Sequence, residues 1–162
     1  MSGKYLIFMS LLLFSLGYVI AAGIYSGQFA SLMQNPSDIA KEQFSPFNRI
    51  SQDNIHVYSD RVTIDIDNPI WASFADTNSM DPLLDEGSYG IEIRPNSENE
   101  INVGDVAAYK SSNGDIIIHR VVEIDEDDEG VYFVFKGDNV PYVDPEQVRF
   151  EQIEGILVAV IY

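Results

Sequence analysis

The chain has 162 residues, enough for one domain with a real core and too few for two domains with linkers. Lys and Arg number 9 against 26 Asp and Glu, a formal net charge of -17, so a phosphate backbone is repelled and nucleic acid is excluded as a partner. No cysteine is present, which removes disulfides, thiolate metal sites and cysteine nucleophiles. The two histidines, His56 and His119, are the only imidazoles open to catalysis.

The segment from Tyr5 to Ile24 carries no charge, and as a helix it reaches across about 30 Å of hydrocarbon. Its length favours a retained membrane anchor over a cleaved leader, although Ala21-Ala22-Gly23 would pass as a cleavage site. Lys4, the only charge before Asp38, orients the N-terminus to the cytoplasm and the remainder outside. Residues 1–27 thus form an N-terminal region with a single-pass anchor. Residues 28–54 read as a polar stalk, with helix running on to about Met33, a short helix from Pro36 to Phe44, and a loop.

From residue 55 to 162 the pattern is that of a mainly β domain, a partly closed barrel or packed β ribbons. Val62, Ile64 and Ile66 alternate with polar residues as in a half-buried strand. Further strands are expected over Ile70 to Ala75, Tyr89 to Arg94, Asp105 to Lys110, Asp115 to Ile124, Val131 to Lys136 and Ile153 to Ile161. Asn113-Gly114 marks a hairpin turn. The acidic run Asp125 to Glu129 reads as a solvated hairpin tip rather than a calcium loop, because no ion-binding spacing accompanies it. Trp71 and Phe74 read first as core side chains, ahead of a role at the membrane interface.

Three places carry chemistry. Asp76 to Pro82 is a polar turn able to hold a serine hydroxyl at a fixed angle. In Ile116 to Val122, His119 and Arg120 interrupt an apolar strand; alone, His119 reads equally well as a hydrogen-bonded core histidine. Lys136-Gly137-Asp138-Asn139 forms a turn, followed by Asp144. Together a turn Ser, a strand His and loop Asp residues make the inventory for acyl transfer. A hydroxyl needs a base to remove its proton, and the base works better with a carboxylate holding its tautomer. A serine-lysine dyad, with Lys110 or Lys136 as base, is the mechanistic rival.

Asn78-Ser79-Met80-Asp81-Pro82, Gly104-Asp105-Val106, Ile118-His119-Arg120-Val121-Val122 and Lys136-Gly137-Asp138-Asn139, in this order, resemble the type I signal peptidase family of serine peptidases. His119-Arg120 resembles the archaeal and endoplasmic-reticulum branch, since the bacterial branch has a lysine base there. The resemblance implies a signal-peptidase-like β domain on its anchor, with Ser79 as nucleophile, His119 as general base, Asp144 as triad acid and Asp138 as supporting acid. It places Thr77, Ser79 and Met80 at the oxyanion and substrate-binding positions. It departs from the family at Val140, where a second Asn is usual, and in the acidic stalk.

The implied activity is removal of signal peptides from secreted preproteins, with small residues at the first and third positions before the cut seated in shallow pockets. The implied location is the cell membrane with the catalytic domain outside. Implied partners are signal-peptide-bearing preproteins, membrane lipid and the protein translocation channel, and no metal or organic cofactor is called for. The competing readings are an inactive membrane-tethered binding module of the same fold, or a peptidase of another surface-protein precursor.

Overall fold

Alternation of apolar and polar residues over the C-terminal two thirds of the chain builds one antiparallel sheet with an apolar cluster on each face. The computed structural model describes residues 43–162. The strands are β1 (Ile55–Val57), β2 (Val62–Ile64), β3 (Ile70–Ser73), β4 (Tyr89–Ile93), β5 (Val106–Lys110), β6 (Ile116–Asp127), β7 (Gly130–Lys136) and β8 (Ile153–Ile161). β1 and β2 pair as a two-stranded ribbon, and the other six form a sheet in the order β3-β4-β8-β5-β6-β7. The end strands β3 and β7 do not pair, so the sheet is open and no closed barrel forms among the described residues.

The central strands β8 and β5 are apolar on both sides because both faces are covered. Ala107, Tyr109 and Ile156 join Val121, Phe133, Phe135 and Val148 in the larger cluster. The intervening residues Val106 and Leu157 point the other way and pack with Met80 and Leu84 in the smaller one. The second cluster attaches the loop that follows β3, and with it Ser79, to the sheet.

Several expectations are corrected. Val62 and Ile64 belong to a short strand, but both are exposed, at 59% and 39%. β2 pairs only with β1, and among the described residues no packed face of this ribbon buries them. β6 runs further than its apolar stretch, to Asp127, because the hairpin register pairs Asp125 with Tyr132 and Asp127 with Gly130. Asp125 to Asp127 are therefore strand residues, and only Asp128 and Glu129 form the tip. Trp71 is 62% exposed and stacks on Tyr89, with 5.2 Å between ring centroids, rather than entering the core. β3 is an edge strand, paired among the described residues with β4 alone. Phe74, by contrast, packs against the smaller cluster.

The anchor at 5–24, the helix to about residue 33 and most of the short helix at 36–44 lie outside the described residues; Phe44 itself is not helical. Among the described residues no helix is long and apolar enough to cross a membrane. The boundary placed after residue 54 falls inside the unit formed by Gln43–Tyr162. Phe47 N–H donates to Asp105 Oδ1 at 2.9 Å, and Arg49 forms an ion pair with Asp105, which is fully buried. Gly104, at φ +101°, lies so close beneath the carbonyl of Ser45 that a side chain there would collide with it.

Candidate active site

The loop from Phe74 to Leu84 leaves β3 and returns to β4, and a left-handed residue, Asn78 at φ 56°, turns it just before Ser79. Asn is among the few side-chain-bearing residues that accept this conformation readily. The turn places the hydroxyls of Thr77 and Ser79 side by side, 3.0 Å apart. Ser79 N–H points to Thr77 Oγ1 at 3.5 Å, the edge of hydrogen-bond range, which leaves that donor free to take a better acceptor. Met80, the next residue, is 2% exposed and anchors the turn in the smaller cluster, its sulfur accepting from Asp138 N–H at 3.4 Å.

His119 comes from near the start of β6, opposite Ala107 of β5. Its Nε2 lies 3.0 Å from Ser79 Oγ, and its Nδ1 lies 2.7 and 2.9 Å from the two carboxylate oxygens of Asp144. The only tautomer that satisfies both contacts carries the proton on Nδ1, donated to Asp144, and offers a bare Nε2 to the serine hydroxyl. The His119 and Asp144 side chains are 12% and 9% exposed, so little water competes for these bonds. Asp144 is held in turn by its own N–H on Phe135 O at 2.7 Å and by Tyr109 OH at 2.8 Å. Tyr109 is buried, and burial first, with the Asp144 carboxylate second, pushes its phenol far above the usual range, so it remains a donor.

Tyr109 is the site residue that sequence reading passes over. It looks like one more inward residue of an apolar strand, and only the fold shows its hydroxyl reaching a carboxylate 35 positions away in sequence.

Asp138 does not touch His119. Its carboxylate takes a two-pronged bond from Arg120, Nε to Oδ1 at 2.8 Å and Nη2 to Oδ2 at 2.6 Å, while Arg120 Nη1 reaches the carbonyls of Gly104 and Phe44 at 2.8 and 3.1 Å. Arg120 thus ties three segments together: the loop after β7, the turn before β5, and the chain that enters the domain. The loop it holds carries Asn139, whose N–H donates to Ser79 O at 2.9 Å and whose side-chain amide donates to Asn78 O at 2.8 Å. Gly137 lies under the pair; a Cβ there would stand 2.5 Å from Ser79 O and 3.0 Å from His119 Nε2.

The structure therefore brings Ser79, His119, Asp144 and Thr77 into one hydrogen-bonded cluster and sets Asp138 and Met80 behind it. Lys136 Nζ donates to Gly137 O at 3.0 Å, and Lys110 ends β5; neither makes a hydrogen bond to Ser79. His56 pairs with Asp65 at 3.1 Å on the exposed ribbon. No cluster of three or more ligating side chains suited to a metal ion occurs among the described residues.

Ser79 and His119 lie on the wall of a groove of about 570 Å³ that is mostly apolar. Ser73 to Ala75 line one bank and Ile116 to Ile118 the other, with Ala108 between them. Ala72 and Ser73 belong to β3, which pairs only with β4, and Ile116 to Ile118 belong to the part of β6 that pairs only with β5, so among the described residues each has one unpaired strand edge.

No protein-family model matches the chain, and no solved structure matches it. It is 38% identical over 63 residues to an uncharacterized protein of Methanocaldococcus jannaschii, a stretch that covers 35% of this chain and 31% of that protein.

Proposed function

We propose that the protein is a membrane-bound serine endopeptidase that removes N-terminal signal peptides from secreted preproteins, built as a signal-peptidase-like β domain on a single N-terminal anchor. The observation that carries this reading is the unbroken line of hydrogen bonds from Ser79 Oγ through the His119 imidazole to Asp144, opening onto a groove with strand-edge banks. An extended substrate segment adds to those edges as a strand, and its alternate side chains enter the groove.

Ser79 Oγ attacks the scissile carbonyl as His119 Nε2 takes its proton. The oxyanion is met by Ser79 N–H, released from its long contact with Thr77, and by the Thr77 hydroxyl. His119 then protonates the leaving amine, and in the second half it draws a proton from water to free the acyl group. Asp144 keeps the imidazole in the working tautomer, and Tyr109 fixes Asp144. The anchor confines enzyme and precursor to one layer and so raises their encounter rate.

The test is cleavage of a preprotein by membranes that contain the full chain, read as the mass and new N-terminus of the product, beside Ser79→Ala. Cleavage that disappears in a folded Ser79→Ala supports the reading. Unchanged cleavage by Ser79→Ala overturns the assignment of Ser79 as nucleophile, and no cleavage by the wild type on any preprotein overturns the reading in favour of a binding module.

A further inference from the structure

The groove that begins at Ser79 holds a carboxylate that the Ser-His-Asp chemistry does not use. Glu92, in β4, is only 5% exposed and lines the cavity, yet among the described residues no donor bonds to its carboxyl and no cation pairs with it. Arg94, two residues further along the same strand, is engaged instead with Glu154 at 2.6 Å. The Glu92 carboxyl oxygens are not among the sealed, unpartnered polar atoms of the described residues, so the acid opens onto the groove, where a cationic group can meet it.

Its surroundings are shaped for one. Glu92 lies over Gly155, where a Cβ would stand 2.5 Å from its Oε2. Gly155 pairs with Ala108, and Ala108 pairs with Ile118 beside His119. Glu92 itself covers Gly155, and the groove floor between it and His119 is Ala108. Both strand pairs are bulged at this row, at Ile91/Glu92 and at Ala108/Tyr109. The floor is low, its walls are apolar, and its far end is an acid. Burial holds the Glu92 carboxyl above the ordinary carboxylate range while the groove lacks a cation, and an ammonium or guanidinium beside it would reverse that preference.

We infer that Glu92 is a specificity-determining residue, and that the groove accepts one long cationic side chain of the substrate, lysine or arginine, whose stem lies over Ala108 and whose charge meets the Glu92 carboxylate. This departs from shallow pockets that take only small residues. It rests on the peptidase reading for the direction in which substrate lies, but the pairing itself needs no cleavage.

The experiment therefore measures binding. The full chain bearing Ser79→Ala, in detergent, is titrated with cleavage-site peptides that carry lysine or its uncharged near-isostere norleucine at each of the four residues before the cut in turn. At one position lysine is expected to bind at least tenfold tighter than norleucine, and the ratio should fall to within twofold when Glu92→Gln is added. Glu92→Leu, which needs no partner in an apolar setting, serves if Glu92→Gln does not fold. No lysine preference at any position overturns the inference, as does a preference that survives both substitutions. A Glu92-dependent lysine preference in a chain whose wild type cleaves nothing would leave the inference standing and refute the peptidase reading. Cleavage without any lysine preference would do the reverse.

Discussion

Asp144 and Asp138 are both acids near the proposed catalytic pair, Ser79 and His119, and their environments assign them different consequences on neutralisation. His119 Nδ1 lies within reach of both Asp144 oxygens, and Tyr109 OH shares Oδ2, so Asp144→Asn brings an amide nitrogen within reach of Nδ1 whichever way it turns. If the amide faces His119, the imidazole proton moves to Nε2 and Ser79 meets a donor instead of a base. If the carbonyl faces His119, the tautomer survives but the charge that stabilises the imidazolium is gone. The first arrangement typically costs a triad about 10⁴-fold in turnover, ~5.5 kcal/mol of transition-state stabilisation. Asp138→Asn instead weakens the fork from Arg120, a nearly buried pair whose side chains are 7% and 13% exposed. Losing one of the two hydrogen bonds and the negative charge behind the other should cost about 3 kcal/mol of stability, with turnover reduced less than about 100-fold. Single-turnover cleavage and thermal unfolding of the two variants separate the effects. A larger loss of turnover at Asp138 with equal stability, or an Asp144→Asn enzyme within tenfold of wild type, would refute the assignment.

Tyr109→Phe removes one of the two side-chain donors to Asp144, and single-turnover cleavage should fall about tenfold while an Asp144→Asn background shows little further loss. Gly137→Ala sets a methyl against Ser79 O and His119 Nε2, so it should lower turnover at least tenfold; unchanged turnover in a folded variant would contradict the close approach. Glu92 has a pKa raised by burial, so the folded state binds its proton more tightly than the unfolded chain does. Its destabilising contribution is absent below the ordinary carboxylate pKa and grows as pH rises above it. The Tm advantage of Glu92→Gln over wild type should therefore be largest near neutral pH and shrink on acidification, and a gap independent of pH would count against it.

Sequence periodicity located the strands of the six-stranded sheet well, because alternation and turn residues are local signals. It misjudged the ends where the deciding partner is distant. Asp125 to Asp127 have no apolar pattern and are held in β6 by β7, and Val62 and Ile64 have a buried-strand pattern with nothing to bury them. At the site, Ser79, His119 and Asp144 were nameable because their residue types carry chemistry. Tyr109 and Glu92 were not, since each looks like an ordinary position in its strand until the fold shows Tyr109 reaching Asp144 and Glu92 lining the groove that holds Ser79 and His119. The link from Arg120 to the carbonyl of Phe44 was equally invisible, as it joins residues 76 apart.

The most direct trial of Ser79 and His119 as one catalytic unit is the cycle of Ser79→Ala, His119→Ala and the double variant in preprotein cleavage. Groups that act as a unit lose activity non-additively. Each single variant should fall to the same residual rate, and the double should be no slower than either. Losses that multiply in the double, or substantial cleavage by His119→Ala alongside its loss in Lys110→Ala or Lys136→Ala, would contradict the serine-histidine mechanism and place the base elsewhere.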